Sequence, residues 1–314
     1  MANLKLTRKQ ALGIKGEAVQ GTAVVPSQAR DYILVENVDL KMGKETIERD
    51  YKRSNLDTLA STTGKRWAEV TFNTEFKSSG SLYPAMDAAL RACGFSASLS
   101  SSAWVYTPFS DTDNVNFSGP ASSSTLEGYR DGHKWIVAGA VGSLKVTAEA
   151  GKYVMAEFTF KGAYSDVTDA TMPTPTLNTI QPPVVESAQL IVSGGTYCTS
   201  KFDYDQGNDI AMIDCISAAN GVFGFAIVGR KPVGSLDPMV DTIATRDVFS
   251  QVKNSTECSG VFIAGSVAGN IVEMTFPQIQ YTDATYQDRG GFMAYNLPVR
   301  FNGTGNNHCR IVLR

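Results

Sequence analysis

The sequence predicts a mainly β fold in which two modules with the same order of elements follow one another in a chain of 314 residues. Three observations carry that prediction. Apolar and polar residues alternate at period two in segment after segment, as in a sheet with one packed and one wet face. Asp131-Gly132 separates two such segments, and both residues tolerate the positive φ of a two-residue hairpin turn. The order strand, loop, strand, helix, strands occurs twice, on either side of a proline-rich stretch.

Residues 1–30 are weakly patterned, with Gly16, Gly21 and Pro26 interrupting any period, and read as an N-terminal arm. The first module spans 31–165. It opens with strands at about 35–42 and 67–76, where Val70, Phe72 and Phe76 alternate with Glu69, Thr71, Asn73 and Glu75. Between them, residues 43–66 carry ten charged side chains and no apolar period. Hairpin loops are usually two to five residues, so a loop of this length is either disordered or functional. A short helix follows, with Leu82, Met86, Ala89, Leu90 and Cys93 on one face, Ser81 as N-cap and Gly94 at the C′ position. Residues 96–124 read as loops around one strand at 104–109. Then come strands at 125–130 and 133–141, and a second hairpin of 144–148 with 153–161. In its later strand Val154, Ala156, Phe158 and Phe160 face one way and Met155, Glu157, Thr159 and Lys161 the other.

Residues 166–188 form a linker holding Pro173, Pro175, Pro182 and Pro183, which cannot donate to a strand ladder. The second module, 189–314, repeats the order: a strand at 199–205, a shorter connecting segment at 206–220 and an apolar strand at 221–228. Next is a helix opening at Asp237 and Pro238, with Val240, Ile243, Ala244 and Val248 along one side. Strands near 260–266, 271–280, 292–302 and 310–313 complete it.

The chain is 43% hydrophobic and 19% charged, the profile of a globular protein rather than a disordered one. Residues 1–164 carry 19 basic and 17 acidic side chains and residues 165–314 carry 9 and 14, so neither half is a basic nucleic-acid module. The start, MANLKLTRKQ, has no apolar core of signal-peptide length, and the longest apolar run, 221–229, is too short to cross a bilayer as a helix. The five cysteines form no CxxC pair and their odd number suits reduced, buried thiols.

No pattern of catalysis or cofactor binding stands out. His133 and His308 have no Cys or second His at metal-ligand spacing. Asp203, Asp205, Asn208 and Asp209 resemble a calcium loop only in composition, since the spacing and terminal Glu are missing and the segment alternates as a strand. The glycine-rich stretch 260–269 lacks the Lys-Ser/Thr of a P-loop, and there is no nucleophile elbow. The expectation is therefore a protein without enzymatic activity, metal or cofactor. In the charged loop, Lys52, Arg53, Lys65 and Arg66 are interleaved with Glu45, Glu48, Asp50 and Asp57, which cancels a long-range field but suits a docking surface with paired charges.

The residues resemble a family: the tail tube proteins, or major tail proteins, of long-tailed bacteriophages, in their two-module form. The resemblance runs through Lys15, Glu17, Gly21 and Thr22, Glu36-Asn37, Glu48-Arg49-Asp50 and the helix end Leu90-Arg91-Ala92-Cys93-Gly94-Phe95. Tyr106-Thr107-Pro108, Tyr129, Asp131-Gly132 and His133 follow in order, then Gly139, Gly142, Leu144, Ala150-Gly151, Phe158, Phe160, Gly162 and Tyr164. The second half matches in element order more than in residues.

That resemblance implies two tandem β-sandwich or half-barrel modules, each with one flanking helix, that contribute strands to an oligomeric β-barrel. Three copies would make a ring of pseudo-six-fold symmetry, and stacked rings a conduit for genome ejection. The partners implied are other copies of the chain, tail terminator and distal tail or tape-measure proteins, and double-stranded DNA in transit without specific binding. No membrane partner is implied. The protein would be made in the bacterial cytoplasm and reside in the virion tail. The wet face would line the lumen: Glu69, Thr71, Asn73, Glu75, Thr147, Glu149, Glu157 and Thr159. Lys145 and Lys161 depart from an acidic lining unless they sit at the rim or pair with acids. The long loop would contact the adjacent ring through Glu45, Glu48, Arg49, Asp50, Lys52, Arg53, Asp57, Lys65 and Arg66. The alternative is a β-sandwich binding module, for carbohydrate or as an adhesin, on a virion or cell surface. Such sites cluster exposed aromatics, whereas Trp67, Trp104 and Trp135 are scattered.

Overall fold

The structure is a computed structural model and describes residues 4–78, 84–100, 103–110, 123–267 and 269–314. Strand takes 53% of it and helix 6%, so the mainly β expectation holds. The first half contains β1 (Gln10–Gly16), β2 (Tyr32–Ile33), β3 (Glu36–Ile47), β4 (Thr62–Glu75), α1 (Pro84–Ala92), β5 (Phe95–Ser100), β6 (Ala103–Pro108), β7 (Ser124–Arg130), β8 (His133–Glu149) and β9 (Met155–Tyr164). The second begins with β10 (Thr168–Asp169), β11 (Gln189–Val192), β12 (Gly195–Thr196), β13 (Lys201–Asp205), β14 (Asn208–Asp214), β15 (Val222–Arg230) and β16 (Val233–Leu236). It ends with α2 (Val248–Lys253), β17 (Glu257–Ala264), β18 (Val272–Tyr281), β19 (Thr285–Arg289), β20 (Phe292–Asn302) and β21 (Arg310–Leu313).

Alternation located most strands, and packing explains why. In β4 the side chains of Val70 and Phe72 are fully buried, and Phe72 stacks on Phe158 and Phe160 of β9 at centroid distances of 5.4 and 6.0 Å. The turn between β7 and β8 is the two-residue type expected, with φ of 43° at Asp131 and 93° at Gly132 and Arg130 opposite His133. Helix α1 buries Ala85, Met86, Ala89 and Leu90, and Gly94 takes the left-handed C′ conformation. Ser81 and Leu82 lie outside the described residues.

Five local expectations are corrected. The hairpin of β3 and β4 stays paired as far as Ile47 opposite Thr62, so the unpaired tip is 48–61 rather than 43–66. Both faces of the hairpin are wet at Lys44, Glu45 and Arg66, and backbone pairing leaves no alternation there to read. Part of the arm is a strand: β1 pairs along its whole length with β7 and buries Leu12 and Ile14, although Gly13 and Gly16 dilute its pattern. Residues 96–124 hold two strands, β5 and β6, paired as a hairpin, and residues 206–220 hold β14, paired with β15. No helix starts at Asp237. Its carboxylate accepts the Ser200 and Lys201 N–H groups at 2.8 and 2.9 Å, while Met239 and Val240 donate to the Cys198 and Met293 carbonyls. Those bonds hold the chain in an extended path, and α2 begins only at Val248, capped by Asp247 through the Ser250 N–H.

Five antiparallel pairings recur between the halves. β3–β4, β4–β9, β8–β9, β7–β8 and β1–β7 correspond to β13–β16, β16–β20, β18/β19–β20, β17–β18 and β11–β17. Hydrogen bonding also crosses between the halves, since β13 pairs with the second part of β8 and β21 pairs with β6. One antiparallel wall, β3-β4-β9-β8-β13-β16-β20, therefore runs through the chain. Behind it Phe202, Tyr204, Phe262, Phe276 and Phe301 pack as the second half's aromatic cluster.

All five cysteines are free. Cys93 and Cys309 are buried as expected, Cys198 is exposed, and Cys215 and Cys258 are intermediate.

Candidate functional site

The face of the wall turned away from the aromatic core is polar across several strands. Cross-strand register aligns Thr71 with Thr159 and Asn73 with Glu157, then Thr159 with Ser143 and Glu157 with Lys145. Glu69, Glu75, Thr147 and Glu149 keep the same parity, because Val70, Phe72, Val146 and Ala148 between them are buried. All eight residues expected on the wet face thus share one surface. The surface continues onto residues not assigned to it from the sequence: Asp39 and Lys41 on β3, Lys201, Asp203 and Asp205 on β13, and Arg300 on β20. Their signal was weaker because β13 is five residues long and β3 alternates only in its middle.

Charge on this face is mostly neutralised locally. Lys161 pairs with Glu69 at 3.8 Å, Lys201 with Asp203 at 2.7 Å and Lys41 with Asp39 at 3.2 Å. Lys145 lies opposite both Glu157 and Asp205. The two lysines that departed from an acidic lining are therefore next to acids. The Asp203 and Asp205 carboxylates belong to this paired strand and the Asn208 amide donates to the Cys93 and Gly142 carbonyls, so the calcium-like composition has no loop behind it.

Two hairpins leave the wall at the same edge. Between β3 and β13 there are four antiparallel steps, so the two strands run in the same direction. Each leads into a hairpin: β3 into β3–β4, which outruns its neighbours to the tip 48–61, and β13 into β14–β15, which lies against β8, β9 and β4 and turns at 215–221. Glu48, Arg49, Asp50, Lys52, Arg53 and Asp57 lie in the first tip, where Arg53 donates to the Asp57 carbonyl at 2.8 Å. Glu45, Lys65 and Arg66 lie instead in the paired strands. Lys65 contacts Asp214 of β14 at 2.8 Å and Glu45 at 3.7 Å, and the Asp214 hydrogen bond raises its pKa. Large apolar side chains stand in water at both tips: Tyr51 is 69% exposed, and Leu56 and Ile216 are fully so.

A cleft of about 910 Å³ opens between β14–β15 and residues 301–308. Arg230 enters it from β15, donating to the Gly94 and Phe109 carbonyls, and its pKa is lowered by burial. His308 meets the Tyr204 hydroxyl at 3.1 Å, and burial, then Arg230, lowers its pKa to about 4. Among the described residues no group of three His, Cys, Asp or Glu side chains could hold a metal ion, and no helix is long and apolar enough to cross a membrane.

The family model described as phage tail tube protein matches residues 7–304. No curated protein matches the chain.

Proposed function

The chain belongs to the phage tail tube protein family, and from that premise we propose that three copies close into a ring whose inner wall is the polar face described above. Rings stack into the tail tube, and double-stranded DNA passes through it at ejection. The observation that carries this reading is the shared register of Glu69, Thr71, Asn73, Glu75, Thr147, Glu149, Glu157 and Thr159 across a wall that runs through both halves. A conduit must not hold what it conveys. Free lysines and arginines bind phosphates by releasing counterions, whereas acids and lysines already paired to acids offer them little. The recurring pairings make each chain two wall segments, so three chains supply six.

The projecting hairpins suit contact between successive rings. Because both tips leave one edge, every ring has a tip face and a blunt face, and stacking is directional. Exposed Tyr51, Leu56 and Ile216 would be covered on stacking, with Glu48, Arg49, Asp50, Lys52, Arg53 and Asp57 supplying paired charges around them. Tail terminator and tape-measure proteins would meet the ends and lumen of such a stack. The role needs no catalysis, cofactor or membrane, and the protein would be made in the host cytoplasm before joining the virion.

Electron microscopy of the purified protein tests the reading. Rings or tubes with three subunits per ring by mass are expected. A monodisperse monomer that never polymerises, even with tail initiator proteins, would overturn it.

A further inference from the structure

Strand β8 has two neighbours in its second part, β9 on one side and β13 on the other. In the second half, β18 and β19 together take the place of β8. β18 pairs with β17 as β8 does with β7, and β19 pairs with β20 as the later part of β8 does with β9. The counterpart of β13 is missing, and among the described residues the outer edge of β19 has no strand on it. At the far end of the wall β3, which corresponds to β13, pairs among the described residues only with β4. We infer that β19 of one copy seats β3 of the next, antiparallel, at the register that sets Gln287 opposite Asp39. The inference rests on the ring reading above and names the contact that closes it.

The register follows from pairings already inside the chain. Asp203 lies opposite Ser235 and Ser235 opposite Pro298, just as Asp39 lies opposite Thr71 and Thr71 opposite Thr159. Asp39 is thus the counterpart of Asp203, and Thr159 of Pro298. Four residues earlier on those strands, Met155 faces Thr147 and Ala294 faces Gln287. Thr147 is opposite Asp203, so Gln287 belongs opposite Asp39. The same shift sets Tyr286 opposite Leu40 and Thr285 opposite Lys41.

Side chains support that alignment. Tyr286 occupies the place of Val146, which is fully buried between Ala156 and Tyr204. Tyr286 has the first flank, stacking on Tyr295 at 5.4 Å, and meets Phe249 of α2 at 5.5 Å, but among the described residues it lacks the second flank, a strand beyond β19, and is 55% exposed. Leu40, at the position of Tyr204, would supply it. At the end of the junction Arg289 of β19, held by Asp237 at 3.4 Å and donating to the Cys198 carbonyl, would face the uncharged Asn37, where Glu149 of β8 faces Lys201 of β13. Contact between two unlike edges is head-to-tail, which closes into a ring and uses up both free edges.

Cysteine pairs test the register in full-length protein with Cys198→Ser and Cys215→Ser as the parent. Opposed positions in an antiparallel pair alternate between wide and close spacing, so one of Thr285→Cys/Lys41→Cys and Tyr286→Cys/Leu40→Cys must suit a disulfide. Oxidised tubes of that variant are expected to run as covalent trimers on a non-reducing gel. Thr285→Cys/Glu45→Cys, four residues out of register, is expected to give none. Hydrogen exchange on the unsubstituted protein provides an independent measurement: the alternate amides of 285–289 that point away from β20 should slow at least tenfold on assembly, and the amides of 201–205 should not change. Tubes that form without either signal, or cross-link equally out of register, overturn the junction and leave the tube reading standing. Failure of the unsubstituted protein to assemble strikes the tube reading itself.

Discussion

Lys65 on β4 lies 2.8 Å from the carboxylate of Asp214 on β14, joining two hairpins that are 149 residues apart in the chain. The contact sits close to the projecting ends of both. Lys65→Ala should leave thermal unfolding nearly unchanged, because exposed pairs contribute little to stability. It should instead loosen the tips, with faster hydrogen exchange in 48–61 and 215–221. Unchanged exchange there would show that the pair does not position them.

Removing residues 50–59 should leave the wall intact, since pairing in β3–β4 ends at Ile47 and Thr62. Circular dichroism is expected to match the full-length protein, with rings present and stacks absent in micrographs. Tubes of ordinary length from this deletion would refute the stacking role of the tip.

The two faces of β4 should respond differently to truncation. Phe72→Ala breaks the stack with Phe158 and Phe160 and should cost about 3–5 kcal/mol in urea unfolding. Thr71→Ala, one residue away on the polar face, should cost less than about 0.5 kcal/mol. Similar losses from both would mean that the wet face is packed against something.

His308 makes stability depend on acidity. Its folded pKa, about 4, lies below the ordinary histidine value near 6.5, so the unfolded chain binds a proton that the folded one refuses. Stability therefore falls as pH drops from about 6.5 to about 4, by at most about 3 kcal/mol from this group. His308→Gln should show a flatter decline in urea midpoints over that window. Equal slopes for the two proteins would remove His308 as the cause.

Glu157→Lys places a second ammonium beside Lys145 on the polar face. Assembled tubes of this variant should retain double-stranded DNA at low salt and release it as salt rises. Each added phosphate contact steepens the logarithmic salt dependence by about 0.9. Tubes that ignore DNA equally with and without the substitution would argue that the face does not line the channel.

How much could be read from the chain depended on whether one face of a strand was packed. β4 and β9 were legible because Val70, Phe72, Phe158 and Phe160 alternate with polar residues over a buried layer. The outer parts of β3 and β4 were not, because with water on both sides nothing in Lys44-Glu45 or Lys65-Arg66 records the pairing. The helix assigned at Asp237 failed for another reason: its apolar spacing was real, but bonds from residues 200 and 201 and from the Cys198 and Met293 carbonyls had already claimed that backbone. The polar face was found from β4, β8 and β9, whereas Asp39, Lys41, Asp203 and Asp205 needed the register. The edge of β19 left no local pattern at all, since it is defined by a neighbour that is absent from its own chain.

The pairing of β21 with β6 has a consequence for synthesis. Val105 finds Val312 only after about two hundred further residues have been made, which at typical ribosomal speed takes roughly 10–40 s. Until then the edge of β6 is open, and strand β18, which lies beyond β21, has no link to it. A nascent chain is therefore an incomplete building block for most of its translation. The second of the two seams between the halves closes only with the last strand, Arg310–Leu313.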